Sequence, residues 1–207
     1  MSTDLGARTK EAIAISEKSR AIVRSIVKGD SPEDRIRQRC VIATGDPAFA
    51  ELMRFNNEPI KAGIKAIKEG AVIFTDIKMA QVGITKRGHN CSVRCVLDAG
   101  ADIAEKTGAT RTSAGFVALE KELEGSIIVI GNAPSAALTV CNMIEQGLRP
   151  ALVVATPVGF VNAAESKERV RSLNVPSITC VGTRGGTPVA VAVVNELMEM
   201  AVTSVNF

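Results

Sequence analysis

The residues of this chain that are best suited to bind an anion lie in three loops rich in glycine and proline, at 131–135, 156–160 and 182–188. Glycines let a backbone approach a ligand closely, and a proline suits the first position of a helix. The free amides at such a helix start can receive a carboxylate or a phosphate. Taken alone, each loop is more often an ordinary turn between a strand and a helix.

Basic side chains near these loops would suit an anionic small molecule, although any one of them could belong to a solvated surface. They are Lys78, Lys86, Arg87, Arg94, Arg111, Lys167 and Arg184. The net charge of +3 is too small to indicate nucleic-acid binding. Six Phe, with no Tyr or Trp, leave few platforms on which bases could stack. We therefore predict a small anionic ligand and no nucleic-acid partner.

Other catalytic chemistries find little support in the sequence. Cys91 and Cys95, with His89 nearby, lack a fourth ligand and a recognisable zinc spacing. A Ser/His/Asp triad has one histidine to draw on and no G-x-S-x-G elbow. Neither a dinucleotide fingerprint nor a Walker sequence occurs. We predict neither a metal nor a cofactor.

Each of the three loops follows a short apolar run that is typical of a buried strand, at 127–130, 151–155 and 177–181. Helical patterns of ten or more residues alternate with these runs, which indicates βαβ units and a parallel sheet. Parallel strands bring their following loops to the same carboxyl edge, where open α/β folds bind ligands. Further strands are predicted at 71–74 and 91–97. The predicted fold class is α/β, a three-layer α/β/α arrangement with a mostly parallel sheet.

The first 45 residues are predicted to form a largely helical N-terminal part of a single domain, 1–207. A helix over 7–27 places an apolar stripe on one face, and this stripe includes the hydroxyl of Ser19, which could simply bond back to its own helix. Ser31 and Pro32 begin a second helix that stops near Gly45. Further helices are predicted at 58–69, 75–83, 98–106, 110–123 and 188–201.

The composition predicts a globular cytoplasmic protein. Of the 207 residues, 46% are apolar and 23% charged, which are ordinary globular values. No apolar run approaches the roughly 18 residues of a membrane span, so we expect no membrane partner. The N-terminus lacks the apolar core of a signal peptide. Five cysteines without framework spacing fit a reducing compartment.

Taken in order, nine segments resemble motifs of the precorrin-8X methylmutase family, from about residue 12 to residue 195. The segments are 17–24, 39–45, 75–79, 83–84, 110–114, 131–136, 157–161, 164–167 and 182–186. The resemblance implies an α/β homodimer with its site near the subunit interface. It implies an isomerase of cobalamin synthesis that moves a methyl group from C11 to C12 of a tetrapyrrole, giving hydrogenobyrinate or, with cobalt, cobyrinate. An anionic corrinoid substrate, which bears many carboxylates, would also suit the amides at the helix starts and the scattered Arg and Lys side chains described above.

The resemblance also implies which residues form the site. Ser19 corresponds to an active-site serine of the family, and Arg111 to an arginine that contacts the substrate. The matched motifs further imply substrate binding by Asp76, Lys78, Met79, Gly83, Ser113, Asn132, Gly159, Lys167, Arg184, Gly185 and Gly186.

One position departs from the family pattern, because Ile42 stands where the family places its catalytic histidine. Isoleucine neither donates nor accepts a proton, and general acid catalysis typically contributes about 10²–10⁴-fold. His89 is the only histidine in the chain, and it follows a Lys86-Arg87-Gly88 loop in a different segment.

Three functions stay open at this point. An active methylmutase would use alignment of the substrate, with Arg111, Ser19 or a water as hydrogen-bond donor. A non-catalytic relative would bind a corrinoid as a carrier or sequestrant. An unrelated isomerase or transferase would use the same pocket for another small molecule.

Overall fold

The structure, a computed structural model that describes residues 9–203, is built around one six-stranded sheet. The strands are β1 (Met53–Asn56), β2 (Ile73–Thr75), β3 (Val93–Cys95), β4 (Ile127–Ile130), β5 (Leu152–Ala155) and β6 (Ser177–Cys180). They lie in the order β1-β6-β5-β4-β2-β3. Only β1 runs antiparallel to its neighbour, and every other pair is parallel. The predicted mostly parallel sheet is confirmed.

Ten α-helices within the described residues surround the sheet. They are α1 (Lys10–Ile26), α2 (Pro32–Thr44), α3 (Phe49–Leu52), α4 (Pro59–Lys68), α5 (Lys78–Gly83), α6 (Ala101–Thr107), α7 (Arg111–Ala118), α8 (Pro134–Glu145), α9 (Ala163–Ser172) and α10 (Thr187–Val202). Short 3₁₀ turns occupy Val96–Asp98 and Glu120–Glu122. The predicted helix over 110–123 is therefore shorter, because it ends at Ala118 and continues as a 3₁₀ turn.

Two apolar layers cover the two faces of the sheet. Alternate residues of a strand point to opposite faces. Ile127 and Val129 therefore belong to the apolar layer that includes residues of α1, α2, α4 and α10, whereas Ile128 and Ile130 belong to the layer that includes residues of α7, α8 and α9. All four residues of β4 are buried, as expected for a parallel strand covered on both sides. The predicted three-layer α/β/α arrangement is confirmed.

The edge strand β1 and the short helix α3 were not predicted. The β1 sequence, Met-Arg-Phe-Asn, has one buried residue and three that are partly or fully exposed, so it carries no continuous apolar signal. Its pairing with β6 is a contact between residues far apart in sequence, such as Met53 with Cys180. The predicted strand over 91–97 contracts to β3, and the predicted start of α1 at residue 7 lies outside the described residues.

The apolar stripe predicted on α1 faces away from the core of this chain. Ile15, Ile22 and Ile26 are 63%, 53% and 50% exposed. The buried face of the helix is instead formed by Ser16 and Val23. The stripe is therefore available to cover, or be covered by, another surface. Among residues 9–203, no helix is long and apolar enough to cross a membrane.

Candidate functional site

The carboxyl edge of the sheet gathers the three predicted loops. Residues 131–133, 156–162 and 181–186 follow β4, β5 and β6 at this edge. Because β1 is antiparallel to β6, its first residue pairs with the last residue of β6. The turn around Asp46 and α3, which precede β1, therefore lies at the same edge. The sequence motifs did not indicate this neighbour.

The amides of the first loop already have a ligand, the carboxylate of Asp76. Oδ2 of Asp76 accepts hydrogen bonds from the backbone N–H of Asn132 at 2.7 Å and of Ala133 at 2.9 Å. Oδ1 accepts one from Gly131 at 3.2 Å. These three amides are therefore not free to receive an anionic ligand. The chain supplies its own carboxylate there, at the start of α8.

Asp76 is fully buried, and its predicted role in substrate binding stays a prediction. Burial raises the pKa of its carboxyl above the ordinary value, while the three amide donors act in the opposite direction. Asp76 ties the end of β2 to the loop after β4. It is a positioning residue for Asn132, whose side chain is exposed beside it.

A hydroxyl cluster lies between this loop and the start of α7. Oγ1 of Thr110 is 2.9 Å from Oγ of Ser113 and 2.9 Å from Oγ of Ser135. Ser113 is buried within this cluster, whereas Arg111 at the first position of α7 is exposed. Arg111 is thus free to reach a ligand, and Ser113 is held by its neighbours.

Backbone hydrogen bonds join the second and third loops. The N–H of Gly186 donates to the carbonyl of Thr156 at 2.6 Å, and the N–H of Gly159 donates to the carbonyl of Thr183 at 3.0 Å. The loop after β5 also exposes Phe160, whose residue surface is 93% accessible. The two loops form one connected wall with an apolar rim.

Lys167 supports this wall from behind and does not reach its surface. Its side chain is fully buried, and Nζ donates to the carbonyl of Arg184 at 2.7 Å. Sγ of Cys180 lies 3.6 Å from the same Nζ. Burial lowers the pKa of the Lys167 ammonium. Lys167 therefore positions the glycine loop from behind, and its predicted contact with substrate stays a prediction.

Arg184 points outward from the loop that Lys167 holds. Its guanidinium forms an ion pair with Asp46 and lies 5.7 Å from the ring centroid of Phe49. The sequence indicated Asp46 only as part of a helix stop. Since the guanidinium is half exposed, it can also meet a ligand at this edge.

The residues predicted around α5 lie on the same edge, after β2. Lys78 is exposed and pairs with Asp98, and Met79 is 65% exposed. Gly83 serves close packing, because an added Cβ would approach Val191 of α10 to 2.9 Å. Close packing is therefore a sufficient reason for a glycine at this position, and its role in substrate binding stays a prediction.

The glycine loop after β6 yields a stability prediction. A Cβ at Gly185 would lie 2.2 Å from the carbonyl oxygen of Thr156, at a φ of +157°. We expect Gly185→Ala to lower the free energy of unfolding by more than about 3 kcal/mol in urea titrations, because backbone cannot yield easily. Gly186→Ala is the matched control: its φ is +113°, but the nearest atom, Cδ of Pro188, is 3.5 Å away. Equal losses of unfolding free energy in the two variants would show that a clash with the carbonyl of Thr156 does not destabilise Gly185→Ala.

Ile42 lies in the last turn of α2, four residues before Asp46, and is half-buried against the core. It lines a cleft whose other residues are Arg20, Arg24, Arg35, Gln38, Arg39 and Glu196. Ser19 is half-buried on α1, next in sequence to Arg20. The arginines of this cleft were not predicted as site residues. They form two pairs whose members are four residues apart on one helix, and this spacing is the sequence signal that could have identified them.

His89, the one histidine of the sequence, lies far from Ile42 along the chain. It precedes β3, which places it at the amino edge of the sheet, opposite the three loops. Its Nε2 lies 2.6 Å from the carbonyl oxygen of Thr85, and its Nδ1 accepts from the N–H of Cys91 at 3.1 Å. Both ring nitrogens are thus engaged with backbone. Across residues 9–203, no three or more His, Cys, Asp or Glu side chains cluster as a metal site would require.

Comparison with known proteins shows which family the chain resembles. Residues 14–200 match the family model for precorrin-8X methylmutase. Cobalt-precorrin-8 methylmutase of Methanocaldococcus jannaschii is 42% identical over 207 residues, covering 95% of this chain and 98% of that protein. Precorrin-8X methylmutase of Pseudomonas aeruginosa is 37% identical, with 79% and 82% covered.

The fold is shared with a solved structure. Precorrin-8X methylmutase from Thermus thermophilus superposes with a TM-score of 0.85 at 34% sequence identity. The match covers 92% of this chain and 96% of that one. Fold, sequence and the family model therefore lead to one conclusion: the chain belongs to the precorrin-8X methylmutase family.

Proposed function

We propose that this chain is an isomerase of cobalamin biosynthesis that moves the C11 methyl group of a precorrin-8 macrocycle to C12. The observation that carries this proposal is the family match over residues 14–200, which includes both the carboxyl-edge loops and the Ile42 cleft. In the shift, the C11–methyl bond breaks as the C12–methyl bond forms within one molecule. No group is exchanged with a second reactant, so the protein's task is to hold and polarise one ring.

Catalysis without a histidine rests on alignment of the macrocycle. A pericyclic shift is accelerated when the ring is held in a strained, aligned pose. Exposed Arg111 and half-buried Ser19 are the proposed hydrogen-bond donors to the ring. Asn132, Gly159 and the Arg184–Gly186 loop would contact its periphery, held in place by Asp76 and Lys167.

The alternative of a non-catalytic corrinoid carrier finds no support in the comparisons. The relatives described above are named as methylmutases. Relatives named for the cobalt-bearing ring and for the precorrin-8X ring both match this chain, so both rings are candidate substrates.

We further propose that residues 1–207 act as one methylmutase-like domain in the cytoplasm, without a nucleic-acid partner. The single sheet, with its two apolar layers, supports one domain. Five cysteines, all free and buried, support a reducing compartment.

A homodimer is proposed from the exposed stripe on α1. Three exposed isoleucines on one helix form the kind of apolar patch that marks an interface. We expect Ile22→Glu to convert a native dimer to a monomer in sedimentation velocity runs. Val117→Glu, on an exposed part of the opposite layer, is the matched control and should leave the dimer intact. A native monomer, or a dimer that survives Ile22→Glu, would contradict this interface.

Isotopic labelling tests the reaction itself. Precorrin-8 or cobalt-precorrin-8 carrying ¹³C in the C11 methyl should yield product with the label on C12, read by carbon NMR. A mixture of labelled and unlabelled substrate should give no crossover between molecules. Label that stays on C11 after prolonged incubation with either substrate would reject the proposed function.

A further inference from the structure

Four arginines from two helices face each other across the cleft beside Ile42. Arg20 and Arg24 are four residues apart on α1, and Arg35 and Arg39 are four residues apart on α2. Side chains at this spacing project from the same helix face. The cleft thus has a pair of guanidinium groups on each wall.

Two carboxylates of α10 hold three of these arginines, Arg20, Arg35 and Arg39, in place. Glu196 is buried and lies 2.8 Å from Arg35 and 3.4 Å from Arg39, measured between side-chain oxygen and nitrogen. Glu199 lies 3.4 Å from both Arg20 and Arg39. Fixed guanidinium groups lose little further freedom when they meet a ligand. The network therefore prepares the cleft for an anion.

Within the described residues, guanidinium groups outnumber carboxylates in the cleft. Four guanidinium groups face two carboxylates, and Arg24 forms no ion pair with any other described residue. The carboxyl edge offers less positive charge to a ligand, because the carboxylate of Asp76 already accepts hydrogen bonds from the loop amides and Lys167 is buried. The cleft is thus better suited to attract a carboxylate than the amides of the first loop.

We propose that the Arg20–Arg24–Arg35–Arg39 cleft binds a peripheral carboxylate of the macrocycle and so holds the edge of the ring against Ile42. This inference rests on the proposed function. Arginine binds carboxylates through paired N–H donors, which fixes orientation as well as position. A ring anchored at one carboxylate beside Ile42 would be aligned without a contribution from that side chain.

The test compares two corrinoids that differ in peripheral charge, cobyrinate and its fully methyl-esterified form. The native protein should bind cobyrinate at least tenfold more tightly than the ester in absorbance titrations. Arg24→Gln should weaken binding of cobyrinate about tenfold and leave the ester unchanged. Arg87→Gln is the matched control and should change neither affinity. Arg87 is exposed and lies outside the cleft, and the structure places it away from the three loops, since neighbouring Gly88 packs beside Val202 at the far end of α10.

Equal effects of Arg24→Gln and Arg87→Gln, or equal native affinity for acid and ester, would overturn the inference. A second probe separates it from the proposed function. Tricarballylate, a small tricarboxylate, should shift arginine Nε–Hε NMR signals of the native protein and shift them less in Arg24→Gln. If neither corrinoid binds but tricarballylate gives this pattern, the proposed function fails and an anion cleft stands. If tricarballylate shifts the two proteins equally or not at all, the cleft is not an anion site.

Discussion

Ile42→His is expected to turn over precorrin-8 about 10²-fold faster than the native chain. The substitution would restore an imidazole at the position where, by resemblance, the family has one, and general acid catalysis contributes on the order of 10²–10⁴-fold. Ile42 is half-buried and lines the cleft, so an imidazole there would face the same space. The gain should appear in kcat and decline as pH rises through about 6.5, the ordinary histidine pKa.

Two controls separate proton donation from a change of shape. Ile42→Leu keeps the volume and the apolar character, and should stay within about twofold of the native rate. Ile42→Gln offers a hydrogen bond that does not titrate, so any gain should be independent of pH near neutrality. A rate for Ile42→His that matches Ile42→Leu would show that this position takes no part in proton transfer.

Asp76→Ala is expected to lower the free energy of unfolding by about 3 kcal/mol. The substitution leaves the amides of Gly131, Asn132 and Ala133 without their acceptor, and a buried unsatisfied donor costs about 1–3 kcal/mol. The substitution also removes the free-energy cost of burying the carboxylate, and this gain offsets part of the loss of stability. The loop that presents Asn132 should loosen, so affinity for cobyrinate should fall together with stability.

Urea titration at neutral pH measures the stability change, and two variants calibrate it. Asp76→Asn keeps one acceptor oxygen and should lose less than Asp76→Ala. Asp98→Ala removes a carboxylate that pairs with Lys78 at the surface, where ion pairs contribute about 0–1 kcal/mol. If Asp76→Ala is as stable as Asp98→Ala, the three amide bonds do not hold the loop.

Local patterns in the sequence were enough to predict the carboxyl-edge loops. Short apolar strands, each followed by glycine or proline and a helix, carry their signal within about 30 residues. The chirality of parallel connections then brings the loops to one edge. The capping box at Ser31, with its 3.1 Å bond from the N–H of Asp34, likewise depends only on neighbours in sequence.

Contacts between distant residues could not be predicted in the same way. Asp76 accepts hydrogen bonds from a loop that begins 55 residues later, and nothing in the local sequence around Gly131 indicates that its amides are taken. Lys167 looked like a surface cation of α9, yet its ammonium is buried beneath the Arg184 loop. The arginine cleft depends on α1, α2 and α10 meeting, which periodicity within each helix does not specify.

The proposed site combines two parts, the loops at the carboxyl edge and the cleft around Ile42, which lies four residues before the Asp46 turn at that edge. The loops at the carboxyl edge are held by internal partners and form a wall, whereas guanidinium groups outnumber carboxylates among the described residues of the cleft around Ile42. The exposed stripe on α1, the helix that also carries Arg20, would bring this cleft close to a subunit interface. A second copy of the chain could then bring its own loops toward the same ring.

The most direct test of the central claim is turnover by the native chain with Ile42 in place. Purified protein is given a tenfold excess of cobalt-precorrin-8 and, separately, of precorrin-8, and the absorbance change and product mass are followed over time. The account predicts more than one turnover per site with at least one of the two substrates, and the methyl group on C12 of the product. Stable binding of both substrates with no conversion, under conditions in which Ile42→His does convert them, would contradict it.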